Sequence, residues 1–180
     1  MEEYVRIERK LLHKGSIIDF YTDTMKVKNG NIVDWDFLDH KGAAAVVPVL
    51  PDGKILMVKQ YRNAIERETI EIPAGGLNDR NEPYITCSHR ELEEETGYQA
   101  KVEEMEFLIS LYTTVAFCNE RIDVFVANNL EKSVQNLDEN EFINVKAYPL
   151  EELISLIYQG KIQDAKTIAA LLAYKNKYVK

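Results

Sequence analysis

GGLNDRNEPYITCSHRELEEETGY, residues Gly75 to Tyr98, packs six acidic residues and two arginines between a pair of glycines and a third, Gly97. Pro83 at a first-turn position and Gly97 as a C-terminal stop bracket a helix of about three turns. On an ideal wheel Ile85, Leu92 and Thr96 fall within about 40° of one another and form a core-facing stripe. Glu91 and Glu95 stand one turn apart on a neighbouring face with Glu94 beside them, and like charges at that spacing repel. The arrangement suggests a cation between them. Hard oxygen donors point to Mg²⁺ or Mn²⁺ rather than zinc. The competing reading is a solvated surface helix, which a run such as RELEEE usually is; spacing beyond the run decides between the two.

The rest of the chain supplies the frame for that helix. Its 180 residues suit one domain with a real core. Acidic residues outnumber basic ones 30 to 22, for a formal charge of −8, which argues against a nucleic-acid partner. No apolar run approaches the roughly 18 residues of a membrane span, and Met1 to Arg6 lacks the features of a signal peptide, so the expectation is a cytoplasmic protein with no membrane partner. Cys87 and Cys118 read as reduced thiols. SIIDFYTDTMKV and IVDWDFL flank Asn29-Gly30-Asn31 as a hairpin. AAAVVPVL and KILMVKQY flank Pro51-Asp52-Gly53 and are expected to form the central hairpin of a sheet, whereas Pro-Ala-Gly-Gly at 73–76 is expected to stop any regular ladder. MEFLISLYT, RIDVFVAN and FINVKAYPL read as further strands. Helices are expected over Leu150–Gln159 and over Asp164–Tyr174, the latter capped by Asp164. The fold class is therefore α/β, a mixed sheet with flanking helices in the α+β manner.

Gly76 is followed after five residues by Glu82, and after seven more by Arg90-Glu91-Leu92-Glu93-Glu94-Glu95-Thr96-Gly97-Tyr98. This resembles the Nudix box at every fixed position, with an aromatic at Tyr98 where an aliphatic is more usual. The resemblance implies a loop-helix-loop that carries divalent metals against a mixed β-sheet sandwich with helices on both sides. It also implies hydrolysis of a nucleoside diphosphate linked to another group. By resemblance, Glu91, Glu94 and Glu95 are the metal-binding carboxylates, and Arg90 and Glu82 orient them.

HKGAAAVVPVLPDGKILMVKQYR followed by EIPAGG is similar to the ADP-ribose pyrophosphatase branch of that family. The likeness implies that the main-chain carbonyl of Ala74 is a metal ligand and that Arg62 and Arg67 meet substrate phosphate or ribose; for Arg67 a surface ion pair is the alternative. LDENEFI resembles the branch's catalytic loop, so Glu139 and Glu141 are candidates for the base and for a further metal contact, against the alternative that both are simply solvated. Thr114-Val115-Ala116 stands where the branch commonly has Ser-Pro-Gly, while Phe117 and Glu120 remain; the turn loses its φ constraints, which opens the choice between ADP-ribose and another nucleotide sugar such as GDP-mannose. Residues 1–40 are expected as an antiparallel extension that forms a homodimer, with Trp35 or Phe20 available to stack on an adenine, and 41–180 as the hydrolase domain.

Overall fold

In the computed structural model, which describes residues 3–179, the Asn29-Gly30-Asn31 turn joins β2 (Asp19–Lys26) to β3 (Ile32–Asp39), and β1 (Val5–Lys14) pairs antiparallel on the far side of β2. Two register shifts in the β1–β2 ladder, at Arg6/Glu8 and Leu11/His13, bend and twist this sheet. Asp23 is the buried polar residue of the ladder, and Arg9 holds it through two hydrogen bonds of 2.6 and 2.5 Å while lying 3.7 Å from the Phe37 ring centre. These strands and Tyr112–Arg121 form one compact unit. Within it Leu38 N donates to Phe117 O at 2.7 Å and His40 N to Asn119 Oδ1 at 2.7 Å.

The second unit, Ala43–Leu111 with Ile122 onward, contains two larger sheets. The first has the order β7 (Ala74–Gly76), β4 (Ala43–Pro48), β10 (Arg121–Ala127), β9 (Met105–Tyr112), with β4 parallel to β10. The second has the order β12 (Asn144–Tyr148), β5 (Ile55–Arg62), β6 (Arg67–Glu71). A two-stranded ribbon pairs β8 (Tyr98–Gln99) with β11 (Glu131–Lys132). The α/β class is as expected.

Two local expectations fail. β4 and β5 share a tight turn but not a sheet: only a single bridge, Val49 to Ile55, joins them. All six residues of β4 are buried, so both its faces need cover, and it takes a central place between β7 and β10, while β5 crosses into the facing sheet. Nor does Pro-Ala-Gly-Gly end the ladder. Pro73 breaks it for one step, and its carbonyl accepts from Val46 N at 3.0 Å; the chain then changes sheet and resumes as β7 against Ala43–Ala45.

One face of the β4 sheet, with Ala45, Val47, Val124 and Val126, packs against Ile55 and Met57 of β5 and against α2 (Leu150–Tyr158) and α3 (Ala165–Tyr178). The other face, with Val46 and Phe125, is covered by α1 (Tyr84–Thr96) through Leu92. Pro83 sits just ahead of α1 with extended backbone rather than inside its first turn, and Gly97 closes it at φ 68°, a conformation natural to glycine. Leu92 is fully buried, a contribution of about 1.5–3 kcal/mol from transfer alone. Leu92→Ala is expected to destabilise the protein by about 2–5 kcal/mol, read from the urea midpoint at constant m.

Candidate functional site

α1 buries Cys87, Ser88, Glu91, Leu92, Glu95 and Thr96, a stripe of helical spacing of which four members are polar or charged. Burying two carboxylates requires room, and the neighbouring backbone supplies it. Ala43–Ala45 of β4 carry only methyl groups. Gly75 of β7 carries nothing: a Cβ there would overlap the carboxylate of Glu91. Ser88 Oγ donates to the Ala45 carbonyl at 3.1 Å and seats the helix on β4.

Glu91 is 8% exposed and Glu95 2%. Burial pushes the Glu91 carboxyl up to about 7, against the pull of Arg90 and with repulsion from Glu94 and Glu141. Burial, with repulsion from Glu91 and Glu141, pushes Glu95 up to about 8, although Ala74 N donates to its Oε2 at 2.9 Å. Arg90 lies across the same face: its Nη1 reaches Glu91 Oε1 at 2.6 Å and Glu94 Oε2 at 2.9 Å, its Nη2 donates to Gly76 O at 3.1 Å, and its Nε is 3.6 Å from Glu82 Oε1. Glu82 in turn accepts from Asn78 N at 2.6 Å and ties the entering loop to the arginine. The Cys87 thiol lies beside this cluster, against the Gly75 and Gly76 carbonyls and 3.4 Å from Arg90 Nη2, whereas the His89 imidazole is turned away to Ala100 O. Burial and the nearby Glu91 charge push the thiol up to about 12. Cys87 and Cys118 are both free.

Glu91, Glu94, Glu95, Arg90, Glu82 and Ala74 are therefore gathered in one place. Among the described residues no three acidic, thiol or imidazole groups already converge as a ready-made metal cluster, because the Arg90 guanidinium is the positive charge between Glu91 and Glu94. The donors nonetheless suit a hard divalent cation: two buried, mutually repelling carboxylates, with glycine where a side chain would fill their cradle.

The loop after β11 is brought to the same helix. Ser133 N donates to Gly97 O at 2.7 Å, Gln135 Nε2 to Glu95 O at 2.6 Å and Asn136 N to Glu94 O at 2.9 Å, so the loop satisfies the orphan carbonyls at the end of α1. Its continuation places Glu141, half-buried, where its charge acts on both Glu91 and Glu95; Glu139 is exposed.

Arg62 and Arg67 face each other across the β5–β6 ladder, but their side chains meet different groups. Arg67 is exposed at the start of β6 and donates to Gln163, so it forms no pair with a neighbouring Glu. Arg62 grips Glu71 with Nε and Nη2 at 2.8 and 2.6 Å. Sequence reasoning passed over Glu71, Lys166 and Gln135. A lone acid inside the apolar run TIEIP, and a lysine in the first turn of a helix, where the dipole disfavours it, were the available signals for the first two. Trp35 and Phe117 line a hollow of about 360 Å³ in the first unit with Phe37, Tyr112 and Val115.

The NUDIX domain family matches residues 39–171. The chain belongs to the NUDIX family. An ADP-ribose pyrophosphatase of Bacillus subtilis (strain 168) is 39% identical to this NUDIX hydrolase over 167 residues, covering 92% of this chain and 89% of the relative. A methanol dehydrogenase activator of Bacillus methanolicus is 37% identical over 167 residues, with the same coverage. Among solved structures, one described as an ADP compounds hydrolase superposes with a TM-score of 0.85 over 98% of this chain and 94% of its own, at 18% identity, which speaks to the fold.

The raised carboxyls fix the sign of a pH effect. Between the ordinary glutamate value of 4.5 and the raised values of about 7 and 8, the native state holds protons that the unfolded chain has released, so stability falls as pH rises through that window. In protein treated with a chelator, the urea midpoint at about pH 8 is expected to lie below that at about pH 6. Glu95→Gln, neutral at every pH, should flatten this slope; a slope unchanged in the variant would remove Glu95 as its source.

Proposed function

We propose that this NUDIX hydrolase cleaves the diphosphate of ADP-ribose with water, giving AMP and ribose 5-phosphate. The observation that carries the reading is the pair of buried, repelling carboxylates Glu91 and Glu95 at the Ala74–Gly75 backbone, an arrangement that is costly without a cation and suited to one beside a diphosphate. We assign Glu91, Glu94, Glu95 and the Ala74 carbonyl to holding Mg²⁺, with Mn²⁺ as the alternative. When bound, the ion neutralises the diphosphate, polarises phosphorus and lowers the pKa of water.

The chain's own groups do the rest. Arg90 holds Glu91 and Glu94 in place from within the helix, where the two carboxylates would hold the cation. Glu141, partly shielded from solvent and within electrostatic reach of the helix carboxylates, is the better placed of the two loop acids to take the proton of the attacking water; Glu139 is left as a further contact to the metal or solvent. The oxygen of water joins one phosphorus as the bridging P–O bond breaks and the leaving phosphate takes the electron pair. Arg62 and Arg67 supply donors that do not deprotonate to the phosphates. The hollow at Trp35 and Phe117 has the chemistry for an adenine ring, and the Thr114-Val115-Ala116 segment beside it favours a second reading, cleavage of another nucleotide sugar such as GDP-mannose.

Val5, Ile7, Leu11 and Leu12 of β1, with Tyr4 just ahead of it, are all about half exposed, an apolar edge that supports a homodimer formed by the N-terminal extension, residues 1–40, with residues 41–180 as the hydrolase domain. We place its work in the cytoplasm, where Cys87 and Cys118 stay reduced. Light scattering at micromolar concentration is expected to give twice the mass of one chain; a single-chain mass would refute the dimer.

With Mg²⁺, the purified protein is expected to convert ADP-ribose to AMP and ribose 5-phosphate in equal amounts, identified by chromatography, and to prefer it to GDP-mannose. Glu95→Gln should lower kcat by roughly three orders of magnitude in protein that stays folded at the assay temperature. Full activity of that variant would rule out the assignment of Glu95 to the metal.

A further inference from the structure

Glu71, at the end of β6, is 2% exposed and carries four hydrogen bonds. Arg62 Nε and Nη2 donate to its two oxygens at 2.8 and 2.6 Å, Thr69 Oγ1 donates at 2.6 Å, and Lys166 Nζ donates to Oε2. Burial opposes the charge of Glu71, yet the Arg62 fork and the Lys166 ammonium hold its carboxyl down at about 2. Lys166 is itself buried, 7% exposed, and its Nζ also donates to Asp164 Oδ2 at 2.9 Å. Asp164 caps α3 through Thr167 N at 3.0 Å, and Thr167 Oγ1 accepts from Ile72 N at 3.0 Å, which ties the helix start back to the strand that carries Glu71.

The count of charges is even: Arg62 and Lys166 against Glu71 and Asp164. Lys166 serves both acids, so Glu71 needs only one edge of the Arg62 guanidinium. The Nη1 end of Arg62 makes no hydrogen bond among the described residues, and its side chain is 42% exposed while the acid behind it is sealed. Without Lys166, Arg62 alone would face two carboxylates, and the cluster would carry one net negative charge toward any anion.

We infer that Lys166 is a positioning residue: by neutralising Glu71 and Asp164 together, it holds Arg62 by one edge and leaves the other presented to the substrate's diphosphate. The inference rests on the reading of Arg62 given above, but the geometry of the relay can be tested without substrate.

Full-length protein carrying Lys166→Met, Lys166→Arg, Arg62→Met and the double change Arg62→Met/Lys166→Met answers it. In ¹⁵N spectra of substrate-free protein, the Arg62 Nε–H signal, assigned by its loss in Arg62→Met, is expected to shift in Lys166→Met, as the guanidinium turns to face both acids, and to return to its wild-type position in Lys166→Arg. On ADP-ribose, Lys166→Met should raise KM about tenfold with kcat within about threefold, and the same change should shift KM less than about twofold when Arg62 is already Met. A signal unmoved in Lys166→Met overturns the inference, and so does an equal rise in KM in both backgrounds. If Lys166→Met is unfolded at the assay temperature, Lys166→Gln, which keeps a donor to Glu71 without the charge, is read by the same criteria. If the wild type turns over no ADP-ribose, the functional reading fails, and the spectra alone decide the relay.

Discussion

Two carboxylates with hardly any exposed surface, Glu91 and Glu95, are held one helical turn apart against a sheet. Most of what surrounds them follows from that. A buried like-charge pair opposes folding, so the elements that pack on α1 must be small, polar at the right point, and rigid. Three alanines of β4 and the bare backbone of Gly75 meet the first need, and the Ala74 N–H aimed at Glu95 meets the second. The third comes from the other side of the helix. Leu92 locks into Val46, Phe125 and Met105, so α1 cannot rotate to release its acids into water.

Around this pair the molecule manages charge by two different means. Arg90 is part of the same helix and compensates Glu91 and Glu94 locally, across one turn. Glu71 is compensated from a distance in sequence, by Arg62 nine residues earlier and Lys166 ninety-five residues later. The first device leaves Glu95 with little more than a backbone donor, against burial and the Glu91 charge, which push its carboxyl up to about 8. The second fully satisfies Glu71, whose carboxyl is held at about 2. Glu71 is supplied with opposite charge inside the fold, and Glu95 is not.

The polar loop after β11 illustrates a third economy of design. The last carbonyls of a helix need partners. Here Ser133, Gln135 and Asn136 provide them for Gly97, Glu95 and Glu94, and the structural task delivers Glu141 to the acids of α1. Glu139, two residues earlier on the same loop, remains in solvent. Composition alone made the two glutamates equivalent; the anchoring of the loop distinguishes them.

Spacing along the chain was enough to mark the helix from Pro83 to Gly97, its stripe of Leu92 and Thr96, the N-terminal hairpin and the Asp164 cap, because each depends on residues within a few positions of one another. Sheet membership was not legible. AAAVVPVL and KILMVKQY look like a hairpin because the turn between them is local, whereas the burial of both faces of β4 is satisfied by β7 and β10, whose positions a single segment cannot reveal. The pairing of Arg62 with Glu71 and Lys166 was hidden for the same reason: a charge in an apolar run signals that a partner exists, but its identity is set by which helix the tertiary fold lays across the strand. The sequence determined which groups are available for the chemistry; tertiary packing decided which of them are buried, which are paired, and which are left able to act, since desolvation exists only once distant segments close over a side chain.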